Sequence, residues 1–172
     1  VSLISYLLVG FLKDNPRSKE SAIKYLLFGS VCSAIMLYGM SLLYGAAGSL
    51  ELPAIAKALF PLSFKPVAIV SVLFFFAGLG FKISMAPFHM WAPDVYEGAP
   101  TPVTAFLTVA PKALGFAVLT RVLDTAFGNF LESWGPILVI LSILTMTIGN
   151  ITAVSQTNIK RLLGYSSISH AG

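Results

Sequence analysis

Charge is scarce in this chain of 172 residues: Asp, Glu, Lys and Arg together make up 10%, where a soluble domain carries about 25%. That deficit, with a mean hydropathy of +0.85, excludes a water-soluble globule, whose surface needs such groups. Cysteine is nearly absent. The single Cys32 cannot close an internal disulfide, hold an iron–sulfur cluster alone or supply a metal site. Disulfide-built secreted domains are excluded with it. The chain has two histidines and no His-x-x-x-His pair, and neither a phosphate loop nor a nucleophile elbow. Gly78-Leu79-Gly80 is half of a dinucleotide fingerprint, but it lies inside an apolar run with no strand before it. The chain therefore has no evident means of handling electrons, and no cofactor or metal is expected on it. Runs of basic residues are missing too. The net charge of +4 is scattered, which fits loops biased to one side of a membrane and gives no footprint for nucleic acid.

What is present is apolar: 56% of residues belong to the AVILMFWYC set. At about 20 residues per bilayer crossing, this length allows five or six spans. The expected fold is all-α, a polytopic transmembrane helix bundle, and residues 1–172 read as a single transmembrane domain. Four whole spans fall at about 21–47, 66–86, 101–121 and 136–155, with half-spans at 1–12 and 158–172. Lys13 to Lys19, with Asn15-Pro16 at its centre, reads as a turn. Glu51 to Phe60 is short and mixed, and fits a helix lying in the interface. Val1 in place of Met, an apolar start without a signal-peptide pattern and an apolar end point to an internal piece of a longer membrane protein. Among loop basics, Lys13, Arg17, Lys19, Lys160 and Arg161 share one side, and Lys57, Lys65 and Arg121 the other. The excess places the first group in the cytoplasm.

Polar residues inside the apolar spans carry the functional signal. Thr101, Thr104, Thr108 and Lys112 recur at helical spacing and fall within roughly 80° of one face. Lys112 lies about 16 Å from Thr101 and about 13 Å from Arg121 along the axis. An ammonium so far from either interface must face the bundle interior or a hydrated cavity. Pro111 before it frees a carbonyl at the same depth. Lys82 follows Gly78 and Gly80 and precedes Pro87 and His89. Lys82 and His89 would share a face of a continuous helix, but Pro87 argues for an interruption, and interrupted helices at membrane depth line protein or water cavities. Snorkelling is the competing reading for Lys82; the apolar stretch running on to Asp94 opposes it.

Weaker candidates follow. Lys24 sits one turn past Glu20, so snorkelling competes with function there. His170 suits proton bridging near neutral pH or simple packing. Asp94 and Glu97 read as caps or anchors near the interface. The row Ser142, Thr145, Gly149, Thr152 and Gln156 reads as a helix-packing stripe. The chemistry open to buried lysines is proton transfer. Low dielectric disfavours the charged form of an amine, so it can exchange a proton nearer neutral pH. Lysines on neighbouring helices, linked by hydroxyls, histidines and internal water, form a lateral relay in which each charge alters the proton affinity of the next.

Three stretches carry a resemblance: FKISMAPFHMWAPDVYEGAPTPVTAF at 81–106, QTNIKRLLGYSSISHAG at 156–172 and RSKESAIKY at 17–25. They resemble the antiporter-like membrane subunits of respiratory NADH:quinone oxidoreductase, complex I. The Pro-Asp after Trp91 and the run Val-Tyr-Glu-Gly-Ala-Pro-Thr-Pro are more similar to subunit N than to subunits M or L. The resemblance implies a proton-translocating subunit with one discontinuous helix in this stretch and a central row of lysines. The broken-helix lysine then falls on Lys82, the next on Lys112, an earlier one on Lys24, and the histidine after the break on His89. It implies a glutamate just before Val1, paired with the broken-helix lysine, and a full chain of about fourteen helices. It also implies partners: other membrane subunits of complex I, with quinone and NADH bound by other subunits. The expected location is a bacterial cell membrane, as an integral multi-pass protein in contact with lipid, protons and internal water. A subunit of a multi-subunit sodium/proton antiporter is the alternative, and an inert membrane scaffold a third reading.

Overall fold

The computed structural model describes residues 2–59, 66–128 and 131–172. Val1, Phe60 and Lys65, each used in the sequence reading, lie outside them. Every regular element among the described residues is a helix: α1 (Ser2–Val9), α2 (Pro16–Ala47), α3 (Leu52–Leu59), α4 (Pro66–Ile83), α5 (Trp91–Gly98), α6 (Thr101–Ala126), α7 (Leu131–Val154) and α8 (Ile159–Ala171). Three are long and apolar enough to cross a membrane: Pro16–Ala47, Thr101–Ala126 and Trp134–Val154. Ile69–Ile83 is a shorter apolar helix.

Local chemistry sets the boundaries. The Asn15-Pro16 turn also starts α2: the Asn15 side chain accepts from Arg17 N–H at 3.0 Å, and Pro16 occupies the first turn, where no N–H is needed. Hence α2 begins at Pro16 rather than near residue 21. It ends at Gly48, whose φ of 68° places it in the left-handed region and whose N–H bonds Tyr44 O at 2.7 Å. Asn158 caps α8 in the same way as Asn15, accepting from Lys160 and Arg161 N–H. The third apolar run leaves the helix at Ile83 and not at residue 86. Ser84 turns left-handed (φ 60°), the Ala86–Pro87 peptide is cis, and helix resumes only at Trp91.

Two apolar clusters hold the helices together. One contains Tyr6, Tyr25, Phe81, Trp91, Val95, Tyr96, Leu107 and Ile168, and so ties α1, α2, α4, α5, α6 and α8. Its centre is aromatic: Trp91 lies 4.7 Å from Tyr25 and 5.0 Å from Phe81, centroid to centroid, distances at which stacked rings attract beyond simple burial. The second joins Leu43, Ile55, Leu59, Val72, Val122, Ala126 and Phe127. It packs the short α3 against α2, α4 and the end of α6. Much of the surface outside these clusters is apolar: Leu3, Leu7, Val31, Leu37, Val109, Ile140 and Ile143 are all exposed. Continuous apolar exposure of this kind suits lipid or neighbouring helices, not water.

The α7–α8 contact depends on a missing side chain. A Cβ at Gly149 would stand 2.7 Å from the backbone nitrogen of Ser169, which cannot move aside. We expect Gly149→Val to cost about 1–3 kcal/mol of packing and to lower the amount of subunit recovered in assembled membrane complex. Gly45→Val, with no atom within 4 Å of the added carbon, should leave recovery unchanged. Equal recovery of both variants on native gels would refute the assignment.

Candidate functional site: a helix break with two lysines

The interruption after α4 gathers most of the predicted residues. Lys82 occupies the last turn of α4, half-buried, and its Nζ donates to Ser2 Oγ at the start of α1 over 2.6 Å. The same nitrogen lies 5.6 Å from the Phe81 ring centroid, within range of the ring's negative face. His89 lies in the break, half-buried, and its Nδ1 is enclosed with no hydrogen-bond partner among the described residues. Ser84 Oγ is enclosed and unpartnered likewise. Polar atoms of this kind are normally satisfied by protein or ordered water. The backbone of the break is better served: Ser84 N–H bonds Phe81 O, Met85 N–H bonds Gly80 O, and the Trp91 indole N–H also donates to Phe81 O. Ala86 N–H crosses to α7 and donates to Thr145 Oγ1 at 3.0 Å.

Lys112 stands one turn from the α4–α6 crossing, where Gly115 admits Ile83. It is 7% exposed, and its ammonium donates to the carbonyl oxygen of Ser167 at 2.6 Å and to Ser167 Oγ at 2.5 Å. No carboxylate lies within 4.0 Å of Lys82 or Lys112 among the described residues. A buried ammonium bound only by neutral oxygens is held without a compensating charge. The threonines N-terminal to Lys112 do not extend this site. Thr108 Oγ1 bonds Ala105 O, and Thr104 Oγ1 bonds Tyr96 O and Pro100 O.

Lys24 is placed differently. Its side chain, 39% exposed, pairs with Glu20 at 2.7 Å and Asp94 at 2.8 Å. Asp94 also holds Arg161 at 2.6 Å, and Arg161 reaches Glu97 at 3.0 Å. Arg17 joins Glu97 at 3.2 Å. This charged cluster lines a cleft of about 200 Å³ and binds the N-terminal ends of α2 and α8 to α5. His170 is exposed near the end of α8 and does not enter the break.

Sequence reasoning passed over Ser2, Ser84 and Ser167, and took Thr145 for packing alone. Thr145 carried a signal, a regular polar row on α7. Ser167 carried none, since Ser166, Ser167 and Ser169 are indistinguishable by type and only the rotation of α8 selects the middle one.

Fold and site together define a helical membrane chain with an interrupted helix and two lysines, one half-buried and one buried, that meet neutral oxygens among the described residues. The sequence profile of the family described as "NADH:quinone oxidoreductase/Mrp antiporter, TM" matches residues 1–172, and the chain belongs to that family. It is 53% identical over 174 residues to the NAD(P)H-quinone oxidoreductase subunit 2 of Synechococcus elongatus, covering 100% of this chain and 33% of that protein. The subunit 2 of Thermosynechococcus vestitus is 54% identical over 173 residues, with the same shares covered. The chain thus spans about a third of the length of the curated relatives it matches. Among solved structures, respiratory complex I from Thermus thermophilus with bound aureothin contains a chain that superposes with a TM-score of 0.83 at 40% identity, covering 99% of this chain and 36% of that one. An archaeal membrane-bound sulfane sulfur reductase gives 0.85 at 28% identity, covering 99% and 35%.

Asp94 is the shared acid of the charged cluster, and its removal tests whether the cluster holds α2, α5 and α8 together. Charge-assisted hydrogen bonds contribute about 1.5–3 kcal/mol when partly buried. Asp94→Asn should therefore lower the thermal midpoint of the assembled complex, measured by loss of the subunit from native gels. Glu20→Gln, at an exposed pair, should shift it by no more than about 0.5 kcal/mol equivalent. Identical midpoints for the two variants would contradict the assignment.

Proposed function

We propose that this chain is the part of a membrane subunit of a quinone-reducing, complex I-type assembly that passes protons between Lys82 and Lys112. The observation that carries this reading is Lys112: an ammonium 7% exposed, in the interior of a long apolar helix, bound among the described residues to Ser167 alone. A structural lysine at that depth would be expected to sit against a carboxylate, because a lone buried charge costs several kcal/mol. A lysine that must lose and regain its proton is better held by neutral oxygens. These can bond the ammonium and release it without leaving a bare counter-charge. Ser167 Oγ accepts from the charged form and can donate to the neutral amine.

Lys82 is supported by its position. It closes α4, and the break beside it contains His89 Nδ1 and Ser84 Oγ, two enclosed polar atoms available to ordered water. In our reading α4, the break and α5 form one discontinuous crossing, as in transporter folds where irregular backbone lines a cavity. The Lys82–Ser2 bond brings this ammonium to the start of α1. The family resemblance expects a glutamate just before residue 1, and a carboxylate there would favour the charged form of Lys82. Protonation of one lysine then raises the cost of protonating the other through Coulomb repulsion, so a charge placed at one end drives a proton from the other.

In this proposal NADH or another donor is oxidised, and quinone reduced, on other subunits. No cofactor resides on this chain, and its membrane is a bacterial one, as the cyanobacterial relatives support. Lys24 acts from the charged cluster and not from the relay. The antiporter alternative differs in its driving force: transport dependent on electron donor supports the redox reading, and transport driven by an ion gradient alone supports the other.

The test uses inverted membrane vesicles containing the whole complex with the full-length subunit. Lys112→Met should leave assembly intact and reduce donor-driven proton uptake by at least about tenfold, the scale expected when a positioned acid–base group is lost. Lys57→Met, at an exposed lysine of α3, should change it little. Undiminished uptake by the Lys112→Met complex would overturn the proposal.

A further inference from the structure

Where α4 stops, the chain turns while still buried, and its N–H groups need partners from the protein. Ser84 and Ala86 are both fully buried. The N–H groups of Ser84 and Met85 fold back onto carbonyls of α4, at Phe81 and Gly80. The Ala86 N–H instead donates to Thr145 Oγ1 of α7 at 3.0 Å. Thr145 is itself 0% exposed, and its own proton goes to Leu141 O at 2.6 Å. That bond orients the hydroxyl so that a lone pair faces Ala86. Three further hydroxyls of α7 are committed elsewhere: Ser142 to Gly172 O, Thr147 to Ile143 O and Thr152 to Ile148 O.

The segment held in this way connects the two titratable groups of the break. Lys82 precedes Ser84 by two residues, and His89 follows Ala86 by three. A shift of the backbone at Ala86 therefore changes the aim of both. An unpaired buried N–H is costly, so the break has one strongly favoured position while Thr145 accepts from it.

We propose that Thr145 is a positioning residue for proton transfer. Its hydroxyl fixes the interrupted backbone between Lys82 and His89 from a neighbouring helix, without lying on the proton path. The polar row of α7 thus includes a clamp on the break as well as its packing contacts with α8. This inference rests on the lysine-relay reading above.

The experiment again uses the whole complex in inverted vesicles, comparing Thr145→Val, Thr145→Ser and Thr145→Cys with Lys112→Met. Valine keeps the shape and removes the acceptor. Serine keeps the acceptor and removes a methyl, and cysteine matches serine in size but accepts weakly. We expect Thr145→Val to assemble, to lose about tenfold in donor-driven proton uptake, and to exchange amide hydrogens in residues 84–90 about tenfold faster. Exchange in α7 itself should be unchanged. Thr145→Ser should stay within about twofold of the parent in both measurements. If Thr145→Val fails to assemble, the serine and cysteine variants decide: serine retaining uptake and cysteine losing it supports the clamp. Uptake at the parent level in both valine and cysteine variants overturns it, as does serine failing as valine does. Failure of all three to assemble leaves Thr145 a purely structural role and overturns it too. Lys112→Met separates the two ideas. If its uptake falls while that of Thr145→Val does not, the clamp alone is wrong; if its uptake is undiminished, the relay reading fails first.

Discussion

A helix that ends inside apolar surroundings leaves backbone groups with nowhere to go, and the rest of this structure is arranged around that fact. At Ile83 the regular bonding of α4 stops, and the chain does not become helical again until Trp91. The N–H groups of Ser84, Met85 and Ala86 are met by α4 carbonyls and by Thr145, and the Trp91 indole N–H donates to the buried Phe81 carbonyl. Because such groups cost several kcal/mol each if left unpaired away from water, the surrounding helices must present partners at set heights. This constrains α7, and through the Gly149 contact it constrains α8 as well.

The charges divide into two environments with opposite logic. At one end of the bundle Arg17, Lys24 and Arg161 meet Glu20, Asp94 and Glu97 in a network of ion pairs. Each group there has a permanent partner, which suits fastening helix ends. At the break and in α6, Lys82 and Lys112 meet hydroxyls and a carbonyl. Groups held by neutral partners can change protonation without stranding an opposite charge, which suits transfer. The same residue type thus meets carboxylates in one place and neutral oxygens in another.

Much of this was legible in the residues. Scarce charge and long apolar runs allow only a membrane helical chain. Pro87 within an apolar stretch pointed to the interruption, and Lys112, far from either polar boundary, had to turn inward. Lys24 was harder to read: its distance along α2 fits either an interface or an interior site, and only the approach of α5 shows Asp94 beside it. The charges that were hardest to interpret singly, Asp94 and Glu97, make sense only as a pair shared by three helices.

Sequence alone determined the class of the molecule, the interruption near Pro87 and the inward position of Lys112, because hydrophobicity and backbone geometry act over neighbouring residues. Tertiary structure alone decided which oxygens each ammonium meets and which helix supports the break. Ser2, Thr145 and Ser167 lie 80, 59 and 55 positions from their partners. A hydroxyl has the same composition whether it faces lipid, its own helix or a buried ammonium, and only the rotation and height of packed helices separate these cases.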